Sequence, residues 1–471
     1  MNNKIKFLFY AMLMTFSCSV LSLPLSSDKI PTKNVVITQL TVAENLYPKE
    51  FKSELQNNLD FFRDGVGVDE KTKVPYDNIR IEGDKIVKGY YTNTTEIGLY
   101  LNILTEAAKA GDHNALLRIK ETLSTLEQAP KWKGLFYWPY DIRGDKLLIN
   151  KDEIVPAVDN GNLAFALAGV AGAFMNTNNT DKQEIVQRIQ VLLDGQKPGW
   201  AALYDEMKGL LSSGWSTKND APLGYYIDRK ANESRLAVAW AILVTQDMGA
   251  KSVPIEAFHK MELYTQHYKV KDQSYNPILT WDGAYFQLML PQIWLNERKL
   301  VPDYGIVKDH TFIQKVYATK NGIPMVSSSA TVDDGYNAFG VPHLSESKVR
   351  FNNKVDESVT GTPHAIALSY IVDPVDAVSA LKKLKAIYPH IESPYGWYDA
   401  VDSSGRMTKN ILSLDTGMFV GAFLAKEINA DVDTYLQSKG YTSLLQEMYQ
   451  SYTPNNYKQL DGMLRTESDR L

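Results

Sequence analysis

The sequence predicts an all-α protein: one domain of helices set as an inner barrel inside an outer ring, with few short strands in its loops. Three observations predict it. Apolar residues recur at the 3.6-residue helical period along most of the chain. The helices marked in this way are of two kinds, amphipathic or apolar nearly all round, and the second kind must be covered on every side. Strand-like alternation is scarce, and no linker or shift of composition divides the 471 residues.

Lys4 and Lys6 precede an apolar run from Phe7 to Phe16 that is too short for a stable membrane anchor. Small residues follow, so residues 1–22 read as a secretory signal peptide cleaved after Ser19 or Ser22. Cys18 offers the rival reading, a lipid-anchored protein, but Thr15-Phe16-Ser17 fits the required pattern weakly. A periplasmic or secreted protein is expected. Cleavage removes Lys4, Lys6 and Cys18, the single cysteine, and takes the net charge from −5 to about −7. Such a chain relies on core burial and has no disulfides. Residues 23–50, with Pro24, Pro31 and Pro48, read as a leader strapped to the surface, and residues 51–471 as the barrel.

Within that span, Ile97, Tyr100, Leu101, Leu104, Ala107 and Ala108 mark a helix over 96–110, stopped by Gly111. Val375, Val378, Leu381, Leu384 and Ile387 mark another over 375–387. Residues 163–174 and 236–244 are apolar all round, as the inner ring requires. Further helices are expected at 113–127, 162–174, 181–194, 201–211, 232–248, 283–296, 364–371, 416–428 and 442–450. Strands are expected at 78–83 and 350–355.

The charge balance lacks a basic block, which disfavours nucleic acid and anionic membrane as partners, and no later segment is a membrane span. Seven histidines occur without ligand spacing, so no metal and no cofactor is expected. No nucleophile elbow or phosphate-cradling glycine loop is present. The aromatics crowd the segments between helices: 136-FYWPYD-141, 224-GYYID-228, 281-WDGAYF-286 and 395-YGWYDA-400. Each places an aspartate beside rings, and four such clusters point to a shared pocket for a ligand with C–H faces and hydroxyl edges, an oligo- or polysaccharide. A single chain is expected to suffice.

Several segments carry a family resemblance. Val158 to Ala164, VDNGNLA, is similar to a VDSGNLA motif, and Tyr91 to Leu101 to a TSPTxIGLYL motif. Glu233-Ser234-Arg235-Leu236 resembles an ExRL helix start, and Trp281 to Phe286 with Met289 and Pro291 resembles WxGSMFExLMP. Tyr336 to Pro342 resembles YQAFGVP; Val372-Asp373-Pro374 with Gly396 to Ala400 resembles VDP followed by GFYEA; Leu414 to Gly417 resembles IDQG. These motifs, kept in order over about 91–425, resemble the glycoamylase-like family of bacterial β-1,2-glucanases, related to the transglycosylase domain of cyclic β-1,2-glucan synthases.

The resemblance implies an (α/α)6 barrel with a cleft at one end of the inner helices. It also implies a glycoside hydrolase that cleaves a β-linked glucan between two carboxyl groups. Glu233 matches the family's general acid and Asp415 its general base. Helix capping is the plain alternative for both. Asp159 and Asn162 are expected on the cleft floor, and Trp281, Asp282, Tyr336, Trp397, Tyr398 and Asp399 along its walls, some of them as packing groups only. One departure matters. The synthase-type domains carry a glutamate where this chain reads 327-SSSA-330. Ser328 cannot be a carboxylate nucleophile, which favours inversion through water over a covalent route. Two readings stay open: a hydrolase of another capsule, biofilm or cell-wall polysaccharide, and a non-catalytic polysaccharide binder on the same barrel.

Overall fold

Segments too apolar to face water form the centre of the molecule. A computed structural model describes residues 27–29, 39–333, 335–354, 359–460 and 465–466. The expected signal peptide and Cys18 lie outside the described residues. The main helices are α1 (Lys52–Leu59), α2 (Thr94–Lys109), α3 (His113–Gln128), α4 (Ala157–Phe174), α5 (Thr180–Gly195) and α6 (Arg235–Val244). They continue with α7 (Gly305–Asn321), α8 (Pro363–Leu368), α9 (Pro374–Ile387), α10 (Ser413–Ser438) and α11 (Thr442–Tyr449).

Helix α4 is buried along nearly its whole length, because it packs on α2, α6 and α10 at once. Helices α2 and α10 also pack on each other, and α8 packs on α10. Amphipathic helices cover this inner set from outside: α3 lies on α2, α5 on α4, α9 on α8 and α11 on α6. The result is a helical fold in two layers, with the core between them. Among the described residues no helix is long and apolar enough to cross a membrane. Leu40 and Val42, in the expected leader, are buried in this core.

The strands are β1 (Ser27–Lys29), β2 (Asn78–Glu82), β3 (Lys85–Lys88), β4 (Tyr91–Thr92), β5 (Trp138–Arg143) and β6 (Lys146–Pro156). After them come β7 (Tyr204–Asp205), β8 (Leu210–Ser212), β9 (Gly214–Ser216), β10 (Ala221–Pro222), β11 (Tyr226–Ile227) and β12 (Asn410–Leu412). One sheet runs β1-β3-β2-β12 and another β10-β9-β6-β5-β4. Their position has a consequence. Helix α4 starts straight after β6, α10 straight after β12, and α2 two residues after β4. Asn78 on β2 pairs with Leu412 on β12, and the Ser413 N–H donates to the Asp77 carbonyl at 2.8 Å. The strands therefore register the starts of the inner helices.

Gly161 fixes another close approach. A Cβ there would lie 2.5 Å from Ala237 Cα and 2.6 Å from its nitrogen, so only glycine lets the first turn of α4 touch α6. Gly161→Ala is expected to cost about 1–3 kcal/mol in chemical denaturation, as overpacking does.

The structure departs from the periodicity reading in places. The helix expected at 201–211 ends at Leu203, and β7 and β8 follow. The strand expected at 350–355 does not form among its described residues: Glu346–Phe351 is a helix whose first turn is capped by the Ser345 side chain, and 352–354 are irregular. Helix α7 has no expected counterpart, because buried His310, Thr311 and Gln314 interrupt its apolar stripe. The β5–β6 hairpin is longer than the short loop strands expected, and Pro139, Lys151, Asp152 and Glu153 hide its alternation. On α9, Val375 and Ile387 are exposed while Val378, Leu381 and Leu384 are buried. An i+3 series slips by about 60° per step on a 3.6-residue helix, so its ends rotate off the buried face.

Candidate active site

The turn before α6 carries Glu233. Its placement depends on Arg235, which is fully buried. Arg235 Nε and Nη2 donate to the two carboxylate oxygens of Glu297 at 2.7 and 2.8 Å. The same guanidinium bonds the carbonyls of Asn232, Gln287 and Leu288. One side chain thus ties the Glu233 turn to the segment just after Asp282. Glu233 as a residue is half-buried, yet its Oε2 is fully enclosed and has no hydrogen-bond partner. Burial pushes its carboxyl up to about 8; nearby Asp282 and Asp159 add to the effect, and Arg235 opposes it. Asp282 is held by Gln287, whose Nε2 donates to it at 3.1 Å, and burial raises its pKa to about 6. Gly283, at φ 78°, allows this turn to lie against the Val341 carbonyl.

From Glu233 the acidic groups continue toward α2. Asp159, in the first turn of α4, accepts from Thr95 Oγ1 at 2.7 Å, and burial raises it to about 6. Asn162 donates to the same Thr95 oxygen at 3.1 Å and leaves its own Oδ1 enclosed without a partner. Glu96 forms a capping box with Asn93 at the start of α2. Burial lifts its pKa well above the usual range, with Asp77 and Asp159 as charged neighbours. Asp77 follows, raised by burial to about 6 and hydrogen-bonded to Tyr91 and Glu96.

Asp77 in turn is a charged neighbour of Asp415, in the first turn of α10. Asp415 is 2% exposed, and both of its carboxylate oxygens are enclosed. Burial raises it to about 7, and a hydrogen bond from Asp399 limits the rise. Asp399 lies well above the usual carboxyl range, through burial and then through the Asp415 charge. Its Oδ2 accepts from the Ala330 N–H at 2.7 Å. Asp399 therefore keeps its proton to higher pH than Asp415 does. His364 Nδ1 sits 3.2 Å from Asp415 Oδ2 and 2.8 Å from Thr362 Oγ1. Burial lowers its pKa to about 4, so the ring is neutral. The Tyr336 hydroxyl lies beside Ser328 and faces Asp415 and Asp399. Ser328, where the synthase-type domains carry a glutamate, is thus next to this pair.

Seven carboxyls form an unbroken series of neighbours from Asp282 through Glu233, Asp159, Glu96, Asp77 and Asp415 to Asp399. Asp77, Glu96 and His364 were not singled out from the sequence. Glu96 lies inside a quoted motif, but its capping position alone explains it, and Asp77 and His364 carry no spacing signal. The expected wall residues divide. Trp281 is half-exposed, with the Arg229 guanidinium 5.8 Å from its ring. Tyr398 is half-buried against the core. Trp397 is 3% exposed, its ring packed edge-on to Phe51 and tilted on Phe419, so its ring is committed to packing.

His364, Asp399 and Asp415 also offer three ligand atoms within 4.8 Å of one another, the set of this kind found among the described residues. Their chemistry suits a divalent transition metal. The Ala330 N–H already occupies one of these atoms, Asp399 Oδ2.

A comparison with curated proteins gives no match. Among solved structures, an endo-β-1,2-glucanase from Talaromyces funiculosus in complex with β-1,2-glucan is 16% identical, with TM-score 0.75 over 88% of this chain and 91% of that one. An endo-β-1,2-glucanase from Chitinophaga pinensis is 17% identical, with TM-score 0.63 over 83% and 97%. A β-1,2-glucanase from Parabacteroides distasonis is 15% identical, with TM-score 0.66 over 85% and 60%. At these identities the likeness is one of fold. Residues 225–423, which hold Glu233, Asp282, Asp399 and Asp415, match the family model Glycoamylase, described as "Putative glucoamylase". Over that segment, less than half of the 471 residues, the chain is similar to the glucoamylase-like family.

Proposed function

We propose that the protein is an exported glycoside hydrolase that cleaves β-1,2-glucan with inversion, on an (α/α)6 barrel closed by the two helix layers. Glu233 is the general acid and Asp415 the general base. The observation that carries this reading is the unbroken series of neighbouring carboxyls between them. A general acid must hold its proton near neutrality, and burial gives Glu233 that property. The base must be ionised while its neighbour keeps the proton, which the Asp399–Asp415 pair provides. Asp77, Glu96, Asp159 and Asp282 supply acceptors and donors for sugar hydroxyls. Ser328 offers no carboxylate nucleophile, which favours attack by water. The chain is read as a monomer, and the names of the structural neighbours support the choice of β-1,2 linkage.

The test is incubation of the mature protein with linear glucans of defined linkage, following reducing ends and product size. Release from β-1,2-glucan with initially inverted anomers by NMR is expected. Turnover of another polymer alone would move the linkage, and retained anomers would remove the inverting route. The rate should be bell-shaped in pH, because Asp415 loses its proton near 7 and Glu233 keeps its own up to about 8. EDTA should leave turnover unchanged; activity lost to EDTA and restored by Zn²⁺ would reassign the His364 trio as a metal site.

Asp399→Asn keeps an acceptor for Ala330 and a donor for Asp415, so kcat should fall by less than about tenfold. Asp399→Ala removes the donor, and the acidic limb of the profile should move to higher pH. An unmoved limb would show that the pair does not set the proton affinity of the base.

A further inference from the structure

A depression of about 360 Å³ has none of the seven carboxyls in its lining, which includes Tyr204, Asp205, Met207, Trp215, Pro222 and Tyr226. Its volume is at the small end of the about 300–1,000 Å³ spanned by ligand pockets. Trp215, on β9, is stacked on Trp132 with ring centroids 4.9 Å apart and planes 20° apart, so its ring is held in place before any ligand arrives. Tyr226, on β11, donates its hydroxyl to Asp205 Oδ2 at 2.5 Å, which fixes that ring and holds the Asp205 carboxyl below its usual pKa. Asp205 is therefore an ionised acceptor beside two rigid rings. Met207 at the rim is 93% exposed. Flat rings with acceptors at their edge match a pyranose, which offers a C–H face and a fringe of hydroxyls. The Asp205 carboxylate repels phosphates and other anions.

The chain links this depression to the cleft. Gly214 on β9 pairs with Pro156, and α4, with Asp159, begins at the next residue. β11 runs into Arg229, which stands over the Trp281 ring, and then into the Glu233 turn. We propose that the depression is a distal subsite that holds a pyranose unit of the same polysaccharide whose backbone is cut at Glu233 and Asp415. The inference rests on the hydrolase reading above. A chain long enough to occupy both places binds the second one intramolecularly, so length itself adds affinity.

Calorimetry on the Glu233→Gln protein, with the polymer intact, compares long linear β-1,2-glucan with sophorotriose. Adding Trp215→Ala or, separately, Tyr226→Ala should weaken polymer binding by about tenfold or more and leave the trisaccharide within about twofold. Trp215 also packs on Trp132, so Tyr226→Ala guards against a folding defect, and both melts are recorded. Polymer affinity unchanged in both variants overturns the proposal. So does an equal loss for polymer and trisaccharide, which would place the effect in the cleft. If the parent protein binds neither β-1,2 ligand, the linkage reading fails by itself. The same two variants are then compared on the long and short forms of whichever glucan the protein does bind. A loss confined to the long form sustains the subsite, and no such loss overturns it.

Discussion

Glu233→Gln is expected to lower kcat on linear β-1,2-glucan by about 10²–10⁴-fold, the range that positioned acid catalysis supplies. It is also expected to make the protein more stable at pH 8. Both effects have one origin. The Glu233 carboxyl sits where burial and the neighbours Asp282 and Asp159 oppose its ionisation. Below about pH 4.5 it is protonated in the folded and the unfolded chain alike, and contributes no difference. As pH rises, the unfolded chain releases the proton first while the folded protein holds it until about pH 8, so stability falls across that window. Glutamine has no proton to hold and escapes the fall. The variant should gain about 2–4 kcal/mol over the parent by pH 8 and nothing at pH 4.5. Thermal melts across that window measure the gain, and reducing-end assays measure the loss. A variant that is inactive but no more stable at pH 8 would place Glu233 in a wetter setting than the structure gives it. An active variant would remove it from the chemistry.

Helix periodicity made α2, α3, α4, α5, α9 and α10 legible, because each keeps one continuous apolar face or is apolar throughout. The acids at positions 159, 233, 282, 399 and 415 were legible through motifs, since a carboxyl before an apolar helix is equally well a cap. What the sequence hides is the convergence. Asp77 and Glu96 join the series only because β2 and β4 bring them to the heads of α10 and α2, and both strands are short. His364 reaches Asp415 from a helix whose start is marked by nothing stronger than a proline. At Trp397 the packing alternative, left open by the sequence, is the one its surroundings favour. A tryptophan in an aromatic loop reads as a sugar platform, but its ring fills the gap between Phe51 and Phe419.

Glu297→Ala is expected to destabilise the protein by about 3–5 kcal/mol, the cost of leaving a buried charge without its partner. Arg235 and Glu297 are 1% and 2% exposed, and the bidentate pair is closed by the Tyr449 hydroxyl on Glu297 Oε1 at 2.7 Å. Removing Glu297 strands a guanidinium that burial already disfavours and that Glu297 holds charged. The loss should reach the chemistry as well. The same guanidinium bonds Asn232, next to Glu233, and Gln287, which carries Asp282. Both acids would lose their common anchor, so kcat should fall further than KM rises. Tyr449→Phe keeps the pair and removes one hydrogen bond, and should cost about 1–2 kcal/mol with kcat nearly intact. Chemical denaturation with kinetics at one pH separates the two variants. Equal stability in Glu297→Ala and the parent would mean that solvent reaches Arg235. A stable but slow Glu297→Gln would show that the charge, rather than the shape, holds the acid in place.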